Sequence, residues 1–91
     1  RTSRDSQINW NANKEFIFNK VRAISRPYPG AEGWVNDKKY RIYKANALKD
    51  FPYGNELDVG QIVASLYDKS FIVRCRNGFL HVKDYEIIHD A

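Results

Sequence analysis

The sequence is poor in the residues that mark specialised classes of protein. It has one cysteine, Cys75, which excludes an intramolecular disulfide and a zinc site built from several cysteines. No apolar run approaches the roughly 18 residues that a membrane-spanning helix needs, and methionine is absent, even at the first position. We therefore expect a cytoplasmic protein with no membrane partner, and a chain that is a piece of something longer.

The charged and apolar residues are balanced as in a globular domain. Hydrophobic residues make up 43% and charged residues 29% of the chain, which separates it from a disordered segment. With 91 residues it can form one domain with a modest core, and this length weighs against a complete enzyme. The net charge of +4 is compatible with an anionic partner but too small to require one.

A polar segment at residues 1–7, with the composition of a linker, precedes a predicted helix. Three apolar residues recur at intervals of four and three, which places them on one helical face: Ile17, Val21 and Ile24. Asn11 or Asn13 can cap the N-terminus of this helix, and Pro27 ends it. We predict a helix from about Lys14 to Ser25, anchored on the rest of the domain by Trp10 and the apolar face.

After the helix, the apolar residues alternate with a period of two, which is typical of strands. Five strands are predicted, at Ala31–Val35, Lys39–Ala45, Gln61–Tyr67, Ser70–Arg76 and Phe79–Tyr85. Turns are predicted at Asn36-Asp37, Asp68-Lys69 and Asn77-Gly78, and the last pair is the strongest signal for a type I′ hairpin. One helix followed by five antiparallel strands predicts a mainly β fold, a small, partly open barrel of the OB type.

No motif in the chain indicates catalysis, cofactor binding or metal binding. We expect His81 to be solvated, because it alternates with apolar neighbours, and His89 lies in the tail. Cys75 alternates with Phe71 and Val73, so it is expected to be buried and unreactive. The carboxylates are scattered, and no glycine-rich phosphate loop is present. We assign no catalytic, cofactor-binding or metal-binding residue.

The predicted strands place basic and aromatic side chains on the face opposite the apolar one. The candidate RNA-binding face consists of Arg41, Tyr43, Arg74, Arg76 and Lys83, with His81 and Tyr85 beside it. Cations for phosphates and rings for base stacking are what a single-stranded or RNA ligand requires. The competing interpretation is a solvated sheet face whose long polar side chains bind nothing.

Several motifs occur in a fixed order along nearly the whole chain. They are Ile8-Asn9-Trp10, a helix ending Val21-Arg22-Ala23, the turn Pro27-Tyr28-Pro29-Gly30-Ala31, the strand Ile42-Tyr43-Lys44-Ala45 and the hairpin Asn77-Gly78-Phe79-Leu80. Together they resemble the C-terminal domain of the formyltransferases that use 10-formyltetrahydrofolate. The structural residues of this family motif are Trp10, Arg22, Pro29 and Gly30. Asn9, Tyr28 and Val59 depart from the family's usual Asp, Trp and Pro.

The resemblance implies that residues 8–91 are the C-terminal OB-like domain and that residues 1–7 link it to a catalytic domain. In this family the N-terminal domain binds 10-formyltetrahydrofolate and carries an Asn-His-Asp constellation, so no cofactor is expected in this fragment. The implied partners are the chain's own catalytic domain, tRNA and, as an open question, a homodimer partner.

The resemblance leaves the amine that accepts the formyl group open. The lead-in from Arg1 to Asp5 and the Pro-Gly-Ala sequence after the helix favour an amino-sugar nucleotide. One alternative is the tRNA-binding domain of a methionyl-tRNA formyltransferase. A third interpretation is a free-standing OB-like module that binds nucleic acid.

Overall fold

The computed structural model describes residues 7–24 and 30–88. It contains one helix, α1 (Lys14–Ala23), and five strands: β1 (Ala31–Val35), β2 (Lys38–Leu48), β3 (Ile62–Ser65), β4 (Phe71–Cys75) and β5 (Gly78–Ile88). The strands form one antiparallel sheet in the order β1-β2-β5-β4-β3. The predicted mainly β fold with one helix and a partly open set of five strands is confirmed. No helix within the described ranges is long and apolar enough to cross a membrane.

Helix α1 covers the apolar face of the sheet and buries its own apolar residues against it. Ile17 and Val21 are fully enclosed, and Ile24 packs against the same core. The helix begins at the predicted residue and ends at Ala23, while Ser25, the predicted end, lies outside the described residues. The sheet supplies alternate residues of each strand to this core, among them Ile42, Val73 and Leu80. The core therefore lies between one helix and one face of the sheet.

The two long strands, β2 and β5, change register where they pair, and this change moves one side chain. Tyr85 stands opposite Ile42, after register shifts around Lys44. Its ring packs on Phe71 at 4.8 Å and on Tyr40 at 5.6 Å between centroids. The expectation that Tyr85 lies beside the basic face is therefore wrong, because a bulge reverses the alternation that a regular strand would keep.

Strand β3 is shorter than predicted, so Leu66, which lies inside the predicted strand, lies outside the observed one. Leu66 is 40% exposed because the strand ends at Ser65 and Leu66 already belongs to the turn. Its N–H donates to the carbonyl of Ser70, and its own carbonyl accepts from the N–H of Lys69. Lys69 takes a positive φ of 72°, so the turn predicted at Asp68-Lys69 is present.

The cap of helix α1 comes from a distant residue. Asn13 occupies the N-cap position but makes no side-chain capping bond there. The Oδ1 atom of Asn77 accepts from the Lys14 N–H at 2.8 Å, so the hairpin between β4 and β5 caps the helix. The expectation that Asn11 or Asn13 supplies the cap is therefore wrong.

The same hairpin turns one residue earlier than predicted. Cys75 pairs with Gly78, so the turn residues are Arg76 and Asn77, and neither has a positive φ. Gly78 is required for a different reason: a Cβ there would lie 2.6 Å from the carbonyl oxygen of Leu48. The type I′ conformation occurs instead at the predicted turn Asn36-Asp37, whose φ values are 48° and 69°.

Trp10 lies between the two edge strands of the sheet, at the place where the barrel is open. A Cβ on Gly33 of β1 or on Gly60 before β3 would lie 3.3 Å or 3.2 Å from its ring. Its Nε1 donates to the carbonyl of Trp34 at 2.9 Å. The predicted burial of Trp10 is confirmed at 7% exposure. We call this gap, filled by Trp10 between Gly33 and Gly60, the seam.

The edges beside the seam are also partly capped. The Ile8 N–H donates to the Glu32 carbonyl at 2.7 Å, next to a bridge between Gln7 and Glu32, and the Ile62 N–H donates to Oδ1 of Asn36 at 3.4 Å. Edge strands that keep unpaired groups invite pairing with other chains. These contacts therefore reduce the open backbone on both sides of the seam.

Candidate functional site

The five residues of the candidate RNA-binding face have separate surroundings. Arg41 and Tyr43 lie on β2 among carboxylates, while Arg74 lies on β4 against a neighbouring ring. Arg76 is exposed in the turn before β5, and Lys83 is exposed on β5. The five residues predicted to form one face therefore differ in their contacts and in their exposure.

Arg41 is the centre of a charged group that we call the Arg41 cluster, made of Glu32, Lys39, Arg41, Tyr43 and Glu86. Its guanidinium contacts Glu32 and Glu86, each at 3.4 Å, and Lys39 contacts Glu32 at 3.3 Å. The hydroxyl of Tyr43 donates to Glu86 at 2.6 Å, a bond that raises the pKa of Tyr43. Two cations and two carboxylates cancel within this cluster, so Arg41 attracts phosphate far less than an unpaired arginine would.

Arg74 braces the hairpin between β4 and β5. Its Nη1 donates to the Gly78 carbonyl at 3.2 Å, and its guanidinium lies 5.2 Å from the centre of the Phe79 ring. A cation over an aromatic face is attracted by the ring's quadrupole. Lys83 donates to Asn46 at 2.8 Å when that amide is oriented with its oxygen toward the ammonium. The exposed cations of the predicted face are therefore Arg76 and Lys83.

His81 is half-buried and hydrogen-bonded, so the expectation that it is solvated is wrong. Its Nε2 lies 2.8 Å from the hydroxyl of Ser70, which is itself 1% exposed and donates to Asp68 at 2.5 Å. The Ser70 hydroxyl uses its hydrogen in the bond to the Asp68 carboxylate, so it can only accept from His81. Nε2 of His81 is therefore the protonated ring nitrogen and donates to Ser70 Oγ. Burial lowers the pKa of His81, and nearby Lys83 adds to this effect. His81 fixes the turn before β4.

Cys75 is fully enclosed, as predicted. Burial raises the pKa of its thiol to about 12, which keeps it protonated at neutral pH. A thiol without thiolate character and without access is a poor nucleophile. His89, the other titratable residue considered from the sequence, lies outside the described residues.

The family-motif residues that are described have structural roles. Trp10 fills the seam, and Arg22 lies in the last turn of α1, where it contacts Asn19 at 3.3 Å and the Phe18 ring at 5.6 Å. Gly30 takes a φ of 91°, and a Cβ there would lie 2.9 Å from the Tyr43 ring. Glycine is therefore required both by conformation and by space. Pro29 lies outside the described residues.

A groove beside the seam was not found from the sequence, because its residues come from three separate segments. The cavity has a volume of about 510 Å³. Its lining includes Trp34, Asp37 and four carboxamides, Asn9, Asn11, Asn36 and Gln61. We call it the Trp34 groove. The one signal in the sequence is Trp34 itself, which alternation places on the outer face of β1 and which is 55% exposed.

Comparison with known proteins gives relatives in both sequence and structure. In sequence, the chain is 34% identical over 79 residues to the methionyl-tRNA formyltransferase of Ruminiclostridium cellulolyticum. The match includes 87% of this chain and 24% of that protein, so the chain spans about a quarter of the length of this curated relative.

In structure, the chain is similar to HypX from Aquifex aeolicus, whose crystal structure was solved with tetrahydrofolic acid. The TM-score is 0.79 at 17% identity, over 98% of this chain and 15% of that one. A variant of the same protein, with substitutions at A392F and I419F, gives a TM-score of 0.75 over 93% of this chain and 14% of that one, at 19% identity. At these identities the likeness concerns the fold. The model of the family described as formyl transferase, C-terminal domain, matches residues 1–89, and the chain belongs to that family.

Proposed function

We propose that this chain is the non-catalytic C-terminal module of an enzyme that transfers a formyl group from 10-formyltetrahydrofolate to an amine. The observation that carries the proposal is the family match over residues 1–89 of a chain that spans about a quarter of its curated relative. The remaining length of such a relative is room for the domain that binds the folate and performs the transfer. This module then supports the catalytic domain or its substrate.

Methionyl-tRNA is the acceptor that the sequence comparison favours, because the relative at 34% identity is a methionyl-tRNA formyltransferase. In this role the exposed cations Arg76 and Lys83 would contact the phosphates of the tRNA. Such contacts give affinity that falls steeply as salt rises. The Arg41 cluster would contribute little, because its charges already cancel.

An amino-sugar nucleotide is the second candidate, and the geometry of Arg41 favours it. The basic face expected for RNA loses its central cation to Glu32 and Glu86. The module would then serve as packing surface for the catalytic domain. The lead-in motif at residues 1–5, on which the sequence argument for this acceptor relied, lies outside the described residues.

The test is formyl transfer by the complete native protein that contains this chain, with 10-formyltetrahydrofolate as donor. Methionyl-tRNA and a panel of nucleotide-linked amino sugars are offered as acceptors in parallel. Transfer to one class identifies the acceptor, and transfer to neither refutes the proposed activity. If tRNA is the acceptor, Arg76→Ala with Lys83→Ala should raise KM about tenfold at low salt and flatten the salt dependence. The matched control is Lys49→Ala, an exposed lysine outside the predicted face.

The proposed organisation keeps residues 1–7 as the connection to the catalytic domain and residues 8–91 as the module. Gln7 already touches the sheet through its bridge to Glu32, and it touches helix α1 through a hydrogen bond from Lys20 Nζ to its carbonyl at 2.7 Å. The catalytic domain is the proposed partner of the module, and a second copy of the protein remains a further one. We place the protein in the cytoplasm, which the buried free thiol of Cys75 fits.

A further inference from the structure

We propose that the Trp34 groove is a binding site for an uncharged pyranose ring. The inference goes beyond the proposed function, because it concerns a ligand of this module and holds for either acceptor. The groove runs along the seam and combines one exposed indole with carboxamide side chains. Its volume of about 510 Å³ lies within the roughly 300–1,000 Å³ of small-molecule sites.

The walls of the groove are held in place before any ligand binds. Asn36 and Asp37 form a tight turn with positive φ at both residues, and Oδ1 of Asn36 is fixed by the Ile62 N–H. On the opposite wall, Oδ1 of Asn9 accepts from the Asn11 N–H at 3.0 Å. Trp10 forms part of the floor and is anchored through its own hydrogen bond. A site ordered in advance loses little conformational entropy when a ligand enters.

The chemistry of the lining fits hydroxyl groups. Each carboxamide offers both a donor and an acceptor, as does a sugar hydroxyl. The two fixed amides, Asn9 and Asn36, use their oxygens within the protein and keep their NH₂ groups as donors, while Asp37 can accept. Trp34 presents an apolar face that can cover the C–H face of a pyranose. A pyranose has the same division, with an apolar face and a rim of hydroxyls.

The charge of the lining argues against a phosphorylated ligand. Among the described residues that line the groove, none is lysine or arginine, and Asp37 is an acid. Nucleic acids bind where cations neutralise their phosphates, even when rings stack on their bases. A neutral ligand escapes the repulsion from Asp37. The groove is therefore matched to a sugar ring rather than to a nucleotide.

The experiment uses the complete native protein and three neutral probes: methyl α-D-glucopyranoside, methyl β-D-galactopyranoside and N-acetyl-D-glucosamine. Saturation-transfer NMR and calorimetry should show saturable binding of at least one probe with a Kd of about 1 mM. Trp34→Ala should weaken binding about tenfold, and Trp34→Phe by less, because a smaller ring remains. Glucose 1-phosphate should bind more weakly than the methyl glucoside.

Tyr53→Ala is the matched control, since Tyr53 is 57% exposed, close to the exposure of Trp34, and does not line the groove. It should leave the Kd unchanged. Three results would overturn the proposal: no saturable binding of any probe, binding that Trp34→Ala leaves intact, or a preference for oligouridylate that depends on Trp34. The formyl-transfer assay is read separately, so a failure here and a failure of the proposed activity are distinguishable.

Discussion

Replacing Trp10 with alanine tests how the sheet is closed. The indole lies in the seam between Gly33 of β1 and Gly60 before β3, and its Nε1 donates to the carbonyl of Trp34. Its removal leaves a void between two edge strands that do not pair with each other in the described part of the chain. The destabilisation should therefore be large and should fall first on those edges.

The magnitude follows from the burial of the ring. At 7% exposure, Trp10 withdraws about 200 Å² from water, which at about 25 cal/mol per Å² corresponds to roughly 5 kcal/mol. Alanine retains a small part of this burial, and the lost hydrogen bond adds about 1 kcal/mol. We expect a loss of about 5 kcal/mol, at the upper end of the range of roughly 3–5 kcal/mol for buried Trp→Ala exchanges. The whole free energy of unfolding of a domain of this size is roughly 5–14 kcal/mol.

The assay is urea unfolding followed by far-UV circular dichroism, together with hydrogen exchange of the backbone amides. Trp10→Ala should lower the midpoint by several molar and should reduce protection in β1 and β3 more than in β2 and β5. Val21→Ala, on the helix side of the core, is the control that should affect the strands evenly. A loss of unfolding free energy below about 1 kcal/mol, or an equal loss of protection in all strands, would refute the claim that Trp10 holds the two edge strands together at the seam.

Three further outcomes are expected from the hairpin and the core. Asn77→Ala should cost about 1 kcal/mol in urea unfolding, because it removes the cap on the Lys14 N–H, whereas Asn13→Ala should cost almost nothing; equal losses would contradict the distant cap. Hydrogen bonds from the Lys14 side chain, from the backbone N–H of Glu15 itself and from Asn77, in that order, lower the pKa of Glu15 to about 2, so its contribution to stability is present above pH 4.5 and is lost as pH falls toward 2; Glu15→Gln should remove that part of the acid transition. Cys75 should react with a thiol reagent only in denaturant, and fast labelling of the native protein would show that it is accessible.

The sequence correctly predicted those features of the fold that are determined by residues close together in the chain. The bounds of β1 and the first residue of α1 are those expected from periodicity, and the turn Asn36-Asp37 follows from residues that tolerate positive φ. The burial of Cys75 follows from alternation with its apolar neighbours. In each case the residues that decide the conformation lie within a few positions of one another.

The sequence-based predictions are wrong where residues far apart in the chain determine the conformation. The hairpin turn lies one residue earlier than predicted, and its Asn77 caps α1 through a contact across 63 residues, which no local window of sequence contains. The orientation of Tyr85 depends on register shifts between β2 and β5, which are a property of the pair. Alternation within one strand cannot reveal such a shift.

The candidate site also depends on distant residues, because carboxylates on neighbouring strands determine whether the charge of a basic side chain is compensated. Arg41 and Arg76 look equivalent in the sequence, as basic residues on polar positions. Arg41 meets Glu32 from β1 and Glu86 from β5, and its charge is compensated, while Arg76 projects from a turn. The register that brings both carboxylates to Arg41 is the register that buries Ile42 and Tyr40, so the core determines which cations remain available. A basic face counted from the sequence is therefore an upper limit on the charge that a phosphate would meet.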